Sequence, residues 1–155
     1  MIVNHLKNGI QQFMGECHEA ACCALCLIDI AQEYRYQHKE KYPEPDLDVM
    51  KCLYSAVERG FIYFNEKDLN DNNNMYVKHP AEWLELMTGK KWTYRHDEPL
   101  YKQKKNEYVM QRYERKRTGY TIGHFQRDKV FEPIKDSATV KYGVLVSTRV
   151  CTVKE

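Results

Sequence analysis

Cys17 combines a reactive side chain with a position at the start of a segment that predicts a long helix. Unpaired backbone N–H groups and the positive end of the helix dipole favour a thiolate over a thiol at such a position. A cysteine nucleophile also needs a base, which can lie far away in the sequence. His124, within Gly-His-Phe at 123–125, is a candidate base on a predicted strand. The pair predicts nucleophilic attack on a carbonyl carbon.

Two further side chains extend this hypothesis. A third polar group usually orients the imidazole, and Glu132 lies across the next predicted hairpin turn, just before a proline. Gln11, six residues before Cys17, carries an amide that would donate to an oxyanion beside the Cys17 backbone N–H. Gln12 is an alternative to Gln11 for this role.

Each residue also has an ordinary structural interpretation. Cys17 can be a small buried hydrophobic residue, as most free cysteines are. His124 can be a strand histidine that is hydrogen-bonded to a neighbour. Glu132, which precedes a proline, can simply end a strand. Cys23 and Cys26 match the redox C-x-x-C spacing. They lie inside the predicted helix, where the dipole does not activate a thiol, so we expect both to be core residues.

The sequence favours neither a metal nor a nucleic-acid site. Zinc held by the cysteines of residues 17–26 would need a second ligand pair, and only Cys52 and scattered histidines offer one. The basic stretch 112–117 is interleaved with tyrosines, as in nucleic-acid surfaces, but Glu107 and Glu114 interrupt the charge. The whole chain balances 24 basic against 22 acidic residues. We therefore expect no metal, no cofactor and no nucleic acid.

Length and composition predict one globular domain over residues 1–155, since 43% of the residues are hydrophobic and 30% are charged. The first residues lack the apolar core of a secretory signal. The most apolar run, Ala20–Ala31, contains Asp29 and is shorter than the roughly twenty residues that a bilayer requires. Six cysteines without an export signal indicate free thiols, so we expect a cytoplasmic protein that does not enter a membrane.

The order of predicted elements is helices first and strands last. An apolar helix spans Glu16 to about Gln37, and a second helix begins at Asp46 or Asp48 and ends before Gly60. A third runs from Ala81 to Thr88, and Pro80 suits its first turn. The later segments are rich in β-branched and aromatic residues and predict strands at 92–95, 107–115, 120–126, 129–131 and 143–153. This order is α+β, with an N-terminal central helix packed on a C-terminal antiparallel sheet.

These residues carry a resemblance to a known superfamily. Gln11, five further residues, Cys17 opening an Ala-rich helix and the late Gly-His-Phe strand resemble the papain-like cysteine peptidases. Within that superfamily the pattern is most similar to the bacteriocin-leader-processing peptidases. The tail at 130–143 is also similar to an uncharacterised family of bacterial plasmid and prophage proteins.

The resemblance implies a papain-like cysteine hydrolase, a peptidase or an amidase, with a peptide or protein substrate. Cys17 would attack the carbonyl, His124 would exchange the proton, Glu132 would orient His124, and Gln11 would help to hold the oxyanion. Two departures from the family pattern favour a rival hypothesis. His18 replaces the glycine that usually follows the nucleophile, and Glu132 replaces an Asp or Asn. The rival is a catalytically inactive papain-like domain that binds a protein or peptide, and the sequence leaves the oligomeric state open.

Overall fold

A computed structural model describes residues 19–64 and 75–155 of the chain. Within them the helices are α1 (Glu19–Gln37), α2 (Val49–Glu58), α3 (Pro80–Thr88) and α4 (Ala138–Tyr142). The strands are β1 (Ile62–Phe64), β2 (Met75–Val77), β3 (Trp92–Asp97), β4 (Glu107–Arg117), β5 (Tyr120–Gln126) and β6 (Val144–Val153).

The helix α1 forms the centre of the core. Its residues from Ala21 to Ile28 are buried without interruption, as are Ile30, Ala31 and Tyr34. The helix contacts α2, α3, β2, β4 and β5, so it is covered on several sides. This confirms the predicted central helix for Glu19–Gln37. The predicted start at Glu16 lies outside the described residues.

The main sheet has four antiparallel strands in the order β3-β6-β4-β5. The pairing of β4 with β5 runs without interruption from Gln111 opposite Gln126 to Arg117 opposite Tyr120. A second, two-stranded sheet pairs β1 with β2. The predicted α+β class, with a helix packed against an antiparallel sheet, is confirmed.

The smaller helices begin and end close to the predicted residues. The Asp48 side chain accepts a hydrogen bond from the Lys51 backbone N–H and caps α2. Pro80 occupies the first turn of α3, and Gly89 ends that helix with a left-handed φ of 73°. Local capping chemistry therefore sets these boundaries.

Four short segments differ from the prediction. Residues 129–131 were expected to form a strand, but only an isolated bridge pairs Arg127 with Phe131. Lys129 adopts a left-handed φ of 63°, which turns the chain instead of extending it. The strands β1 and β2 and the short helix α4 were not predicted. The Asn-rich cluster at 70–74, expected to be a turn, lies outside the described residues.

A buried arginine joins the end of β5 to α1. Arg127 is 2% exposed, and its Nη1 and Nη2 donate to Asp29 Oδ2 at 2.8 Å and Glu33 Oε2 at 2.9 Å. Its Nε donates to the Val109 carbonyl oxygen of β4 at 3.0 Å. Asp29 and Glu33 lie one turn apart on α1, so one guanidinium fixes the helix against two strands.

None of the helices in the described part of the chain is long and apolar enough to span a membrane.

We predict that Arg127→Ala lowers the free energy of unfolding by about 3 kcal/mol, since it leaves two partly buried carboxylates without their cation. Urea unfolding followed by circular dichroism measures the change. The matched control is Arg117→Ala at the exposed hairpin tip, which should change stability by no more than about 0.5 kcal/mol. Equal stabilities for the two variants would contradict this role of Arg127.

Candidate functional site

His124 lies on β5, as the sequence predicted, and its side chain faces away from α1. Side chains alternate between the two faces of a strand. Gly123 faces α1, because a Cβ atom built there would lie 2.4 Å from Cδ of Glu19. Phe125 packs in the core with α1. Arg112, which is paired with Phe125 across the β4–β5 strands, donates a hydrogen bond to Glu19 of α1. His124 lies between these two positions and therefore points to the opposite face.

The His124 imidazole is completely buried and hydrogen-bonded to a neighbouring amide. Its Nε2 lies 3.1 Å from Oε1 of Gln126, two residues along the same strand. Among the described residues, Nδ1 is buried with no hydrogen-bond partner. Burial holds the pKa of His124 below its usual range, although Gln126, Glu132 and Asp128 act in the other direction. The ring is therefore neutral near pH 7.

The amide of Gln126 determines which nitrogen of His124 carries the proton. Gln126 Nε2 donates to Asp128 Oδ1 at 3.0 Å, so its Oε1 faces His124 as an acceptor. His124 must then donate from Nε2, and Nδ1 is left as an unprotonated acceptor. The Tyr113 hydroxyl donates to both carboxylate oxygens of Asp128, at 2.9 and 3.0 Å, and completes the chain of polar contacts.

Glu132 does not occupy the orienting position that the sequence hypothesis gave it. The residue is exposed, and Gln126 makes the hydrogen bond to the imidazole in its place. The Glu132 carboxylate acts on His124 only through its charge, which favours the imidazolium. The proline after Glu132 ends the local pairing, whereas Gln126 shares the strand face of His124.

Cys17 and Gln11 lie outside the described residues. The described part of α1 begins at Glu19, whose carboxylate lies against Gly123 and accepts from Arg112 Nε at 2.6 Å. The start of the described helix therefore lies next to the strand that carries His124, on the Gly123 face of that strand.

A pocket of about 380 Å³ opens beside this first turn of α1. It lies between α1, the β2–α3 segment and the strands β3, β5 and β6. The side chains important for its chemistry are those of Glu19, Cys23, Tyr94, His96, Phe125 and Arg149. The volume falls in the range of small-ligand sites, and aromatic walls with a few convergent polar groups are typical of them.

Sequence reasoning missed Tyr94, His96 and Arg149 as site residues. They come together because β3 pairs with β6, with His96 opposite Arg149. The His96 pKa is lowered by partial burial first, and then by the positive charges of Arg149 and Arg112. No local motif marks these residues, and only the register between two strands about fifty residues apart could have revealed the cluster.

No disulfide joins any two of the five described cysteines, and all except the half-buried Cys52 are buried. Burial raises the pKa of Cys23 to about 12 and also raises those of Cys26 and Cys151. The expectation that Cys23 and Cys26 are core residues is confirmed, since both pack in the main cluster. Within residues 19–64 and 75–155, no group of three His, Cys, Asp or Glu residues is arranged to hold a metal ion.

No family model, no curated protein and no solved structure matches this chain significantly. The geometry of the pocket and of His124 is therefore the basis for the functional argument.

We predict that stability falls as the pH is lowered from about 7 to about 5.5. His124 has a folded pKa below its ordinary value of 6.5, so the unfolded chain binds a proton that the folded chain resists. Below the folded pKa of His124 this loss stops. Urea unfolding at a series of pH values measures how the free energy of unfolding changes with pH.

In His124→Gln, the free energy of unfolding should change less between pH 5.5 and 7 than it does in the wild type, whatever the absolute stability of the variant. The exposed His79 provides the control, and His79→Gln should keep the original slope. An unchanged slope in His124→Gln would show that the imidazole is not held neutral by burial.

Proposed function

We propose that this chain is a papain-like domain that binds a peptide or protein segment in the pocket beside α1, without using His124 as a catalytic base. The observation that carries the proposal is the placement of the imidazole. His124 is completely buried and faces away from α1, whereas the pocket opens on the α1 side of the sheet. This is the catalytically inactive alternative for a papain-like chain.

A general base must reach the proton that it removes. The reach is about 2.6–3.2 Å between heavy atoms, or one bridging water. Here Nε2 of His124 is hydrogen-bonded to Gln126, and the strand backbone separates Nδ1 from the pocket. A substrate carbonyl bound on the α1 side would not meet this ring. The pocket keeps its apolar and charged walls, which are sufficient for binding.

A second candidate function is the cysteine hydrolase itself, acting on a peptide or amide bond. One observation favours it, namely that Glu19 touches β5 at Gly123, one residue before His124. Cys17 would attack the carbonyl carbon and His124 would take the thiol proton and pass it to the leaving amine. Glu132 would stabilise the imidazolium, and Gln11 with the Cys17 backbone N–H would hold the oxyanion. This mechanism requires the His124 ring to turn out of its buried position.

The alkylation rate of Cys17 by iodoacetamide at pH 6 separates the two functions. A thiolate paired with an imidazolium has a pKa between about 3.5 and 7.5, against about 8.5 for a free thiol. Under the binding proposal, we predict that His124→Ala leaves the Cys17 rate within about twofold of the wild type, since a buried neutral ring does not act on the thiol. Mass spectrometry of the modified peptides gives the rate for each cysteine.

Three controls make the result specific. A synthetic peptide of residues 13–21 gives the rate of the same cysteine without the fold, and the half-buried Cys52 gives an internal reference. His18→Ala tests whether the neighbouring histidine supplies the charge. A Cys17 rate that falls about tenfold or more in His124→Ala, but not in His18→Ala, would contradict the binding proposal and support the hydrolase.

A further inference from the structure

Among the residues that the structure describes, the partners of Arg149 in the pocket are neutral. Its Nη1 donates to the Tyr94 hydroxyl at 3.1 Å and its Nε donates to Ser147 Oγ at 3.2 Å. The guanidinium carbon lies 5.1 Å from the centre of the Phe125 ring, within the range of a cation–π contact. Three neighbours therefore fix the orientation of the side chain, and none of them neutralises its charge.

The guanidinium keeps donors for a ligand. Arginine has five N–H donors, and described residues accept from two of those on Arg149; within the described part of the chain three are left over, including both on Nη2. A planar guanidinium with free N–H groups on neighbouring nitrogens matches a carboxylate, which it can bind with two parallel hydrogen bonds. Its fixed position reduces the entropy that is lost on binding.

The carboxylates near the pocket are committed elsewhere. Glu19 accepts from Arg112 Nε, and Glu114 accepts from Nη1 of the same arginine. Among the described residues, no carboxylate lies within salt-bridge distance of Arg149.

The walls around Arg149 are aromatic. Tyr94 and Phe125 flank the guanidinium, and Tyr76 also lines the pocket. Such walls suit a flat apolar side chain. The combination suits a peptide with a carboxylate next to an aromatic residue.

We propose that this pocket binds the carboxylate of a peptide, with Arg149 as the residue that pairs with it. The inference rests on the proposed function, because it names the class of ligand that the binding pocket takes. The carboxylate can be the C-terminus of a chain or the side chain of an acidic residue. Both present the same group to Arg149, and the experiment below separates them.

The test uses the full chain and two matched pairs of peptides. The first pair is acetyl-Gly-Phe with a free C-terminal carboxylate and the same dipeptide as its amide. The second pair is acetyl-Phe-Glu-amide and acetyl-Phe-Gln-amide. NMR titration of uniformly ¹⁵N-labelled protein gives each dissociation constant and follows the arginine Nε–H resonances. We expect the acidic member of at least one pair to bind about tenfold to a hundredfold more tightly than its neutral partner, as a charged hydrogen-bonded pair does.

Two variants assign the preference to the pocket arginine. Arg149→Gln should abolish the difference between acidic and neutral peptides, and Arg117→Gln at the exposed hairpin tip should preserve it. The thermal midpoint of each variant shows that it is folded. If only the first pair shows tighter binding of its acidic member, the ligand group is a C-terminal carboxylate. If the second pair shows tighter binding of its acidic member, the ligand group is an acidic side chain.

Other outcomes overturn the inference in different ways. If all four peptides bind equally, or if Arg149→Gln keeps the acidic preference, carboxylate recognition by Arg149 is wrong while the binding function stands. If none of the peptides shifts any pocket resonance, both the inference and the proposed function fail.

Discussion

A helix that is apolar on nearly every side must be covered on nearly every side, and this requirement determines how the chain is arranged. α1 buries its residues from Ala21 to Ile28 without a break, so an amphipathic contact with one layer would not be sufficient. The four-stranded sheet covers one side, and α2, α3 and β2 cover others. Arg127 then fixes the position of the helix along the sheet through Asp29 and Glu33.

The pleat of β5 determines the chemistry at the start of α1. Because Gly123 lets the helix approach and Phe125 packs beneath it, His124 has to face the other way. There it is hydrogen-bonded to Gln126, and its complete burial stabilises the neutral ring. The pocket on the α1 side receives its polar groups from β3 and β6 instead. The geometry thus supports binding beside α1 more directly than catalysis by His124.

Long elements with a clear pattern could be predicted from the sequence, and short or long-range features could not. α1 and β5 carry strong local signals, whereas β2 has three residues and α4 has five. The face of His124 was not evident, because Gly123, His124 and Phe125 are all buried and show no alternation of apolar and polar residues. His124 and Gln126 are two residues apart, and residues two apart on a strand lie on the same face. The sequence therefore did contain a signal that Gln126 is the hydrogen-bond partner of His124. The meeting of His96 with Arg149 depends on strand register alone.

The most direct test of the account is the distance between Cys17 Sγ and His124 Nδ1 in a crystal structure of the full chain. The account predicts about 8 Å or more, because the backbone of the sheet lies between groups on its two faces. The Nε2 atom should remain hydrogen-bonded to Gln126. A distance of about 3.5 Å, with the imidazole turned toward α1, would contradict the account and establish the geometry of a catalytic pair.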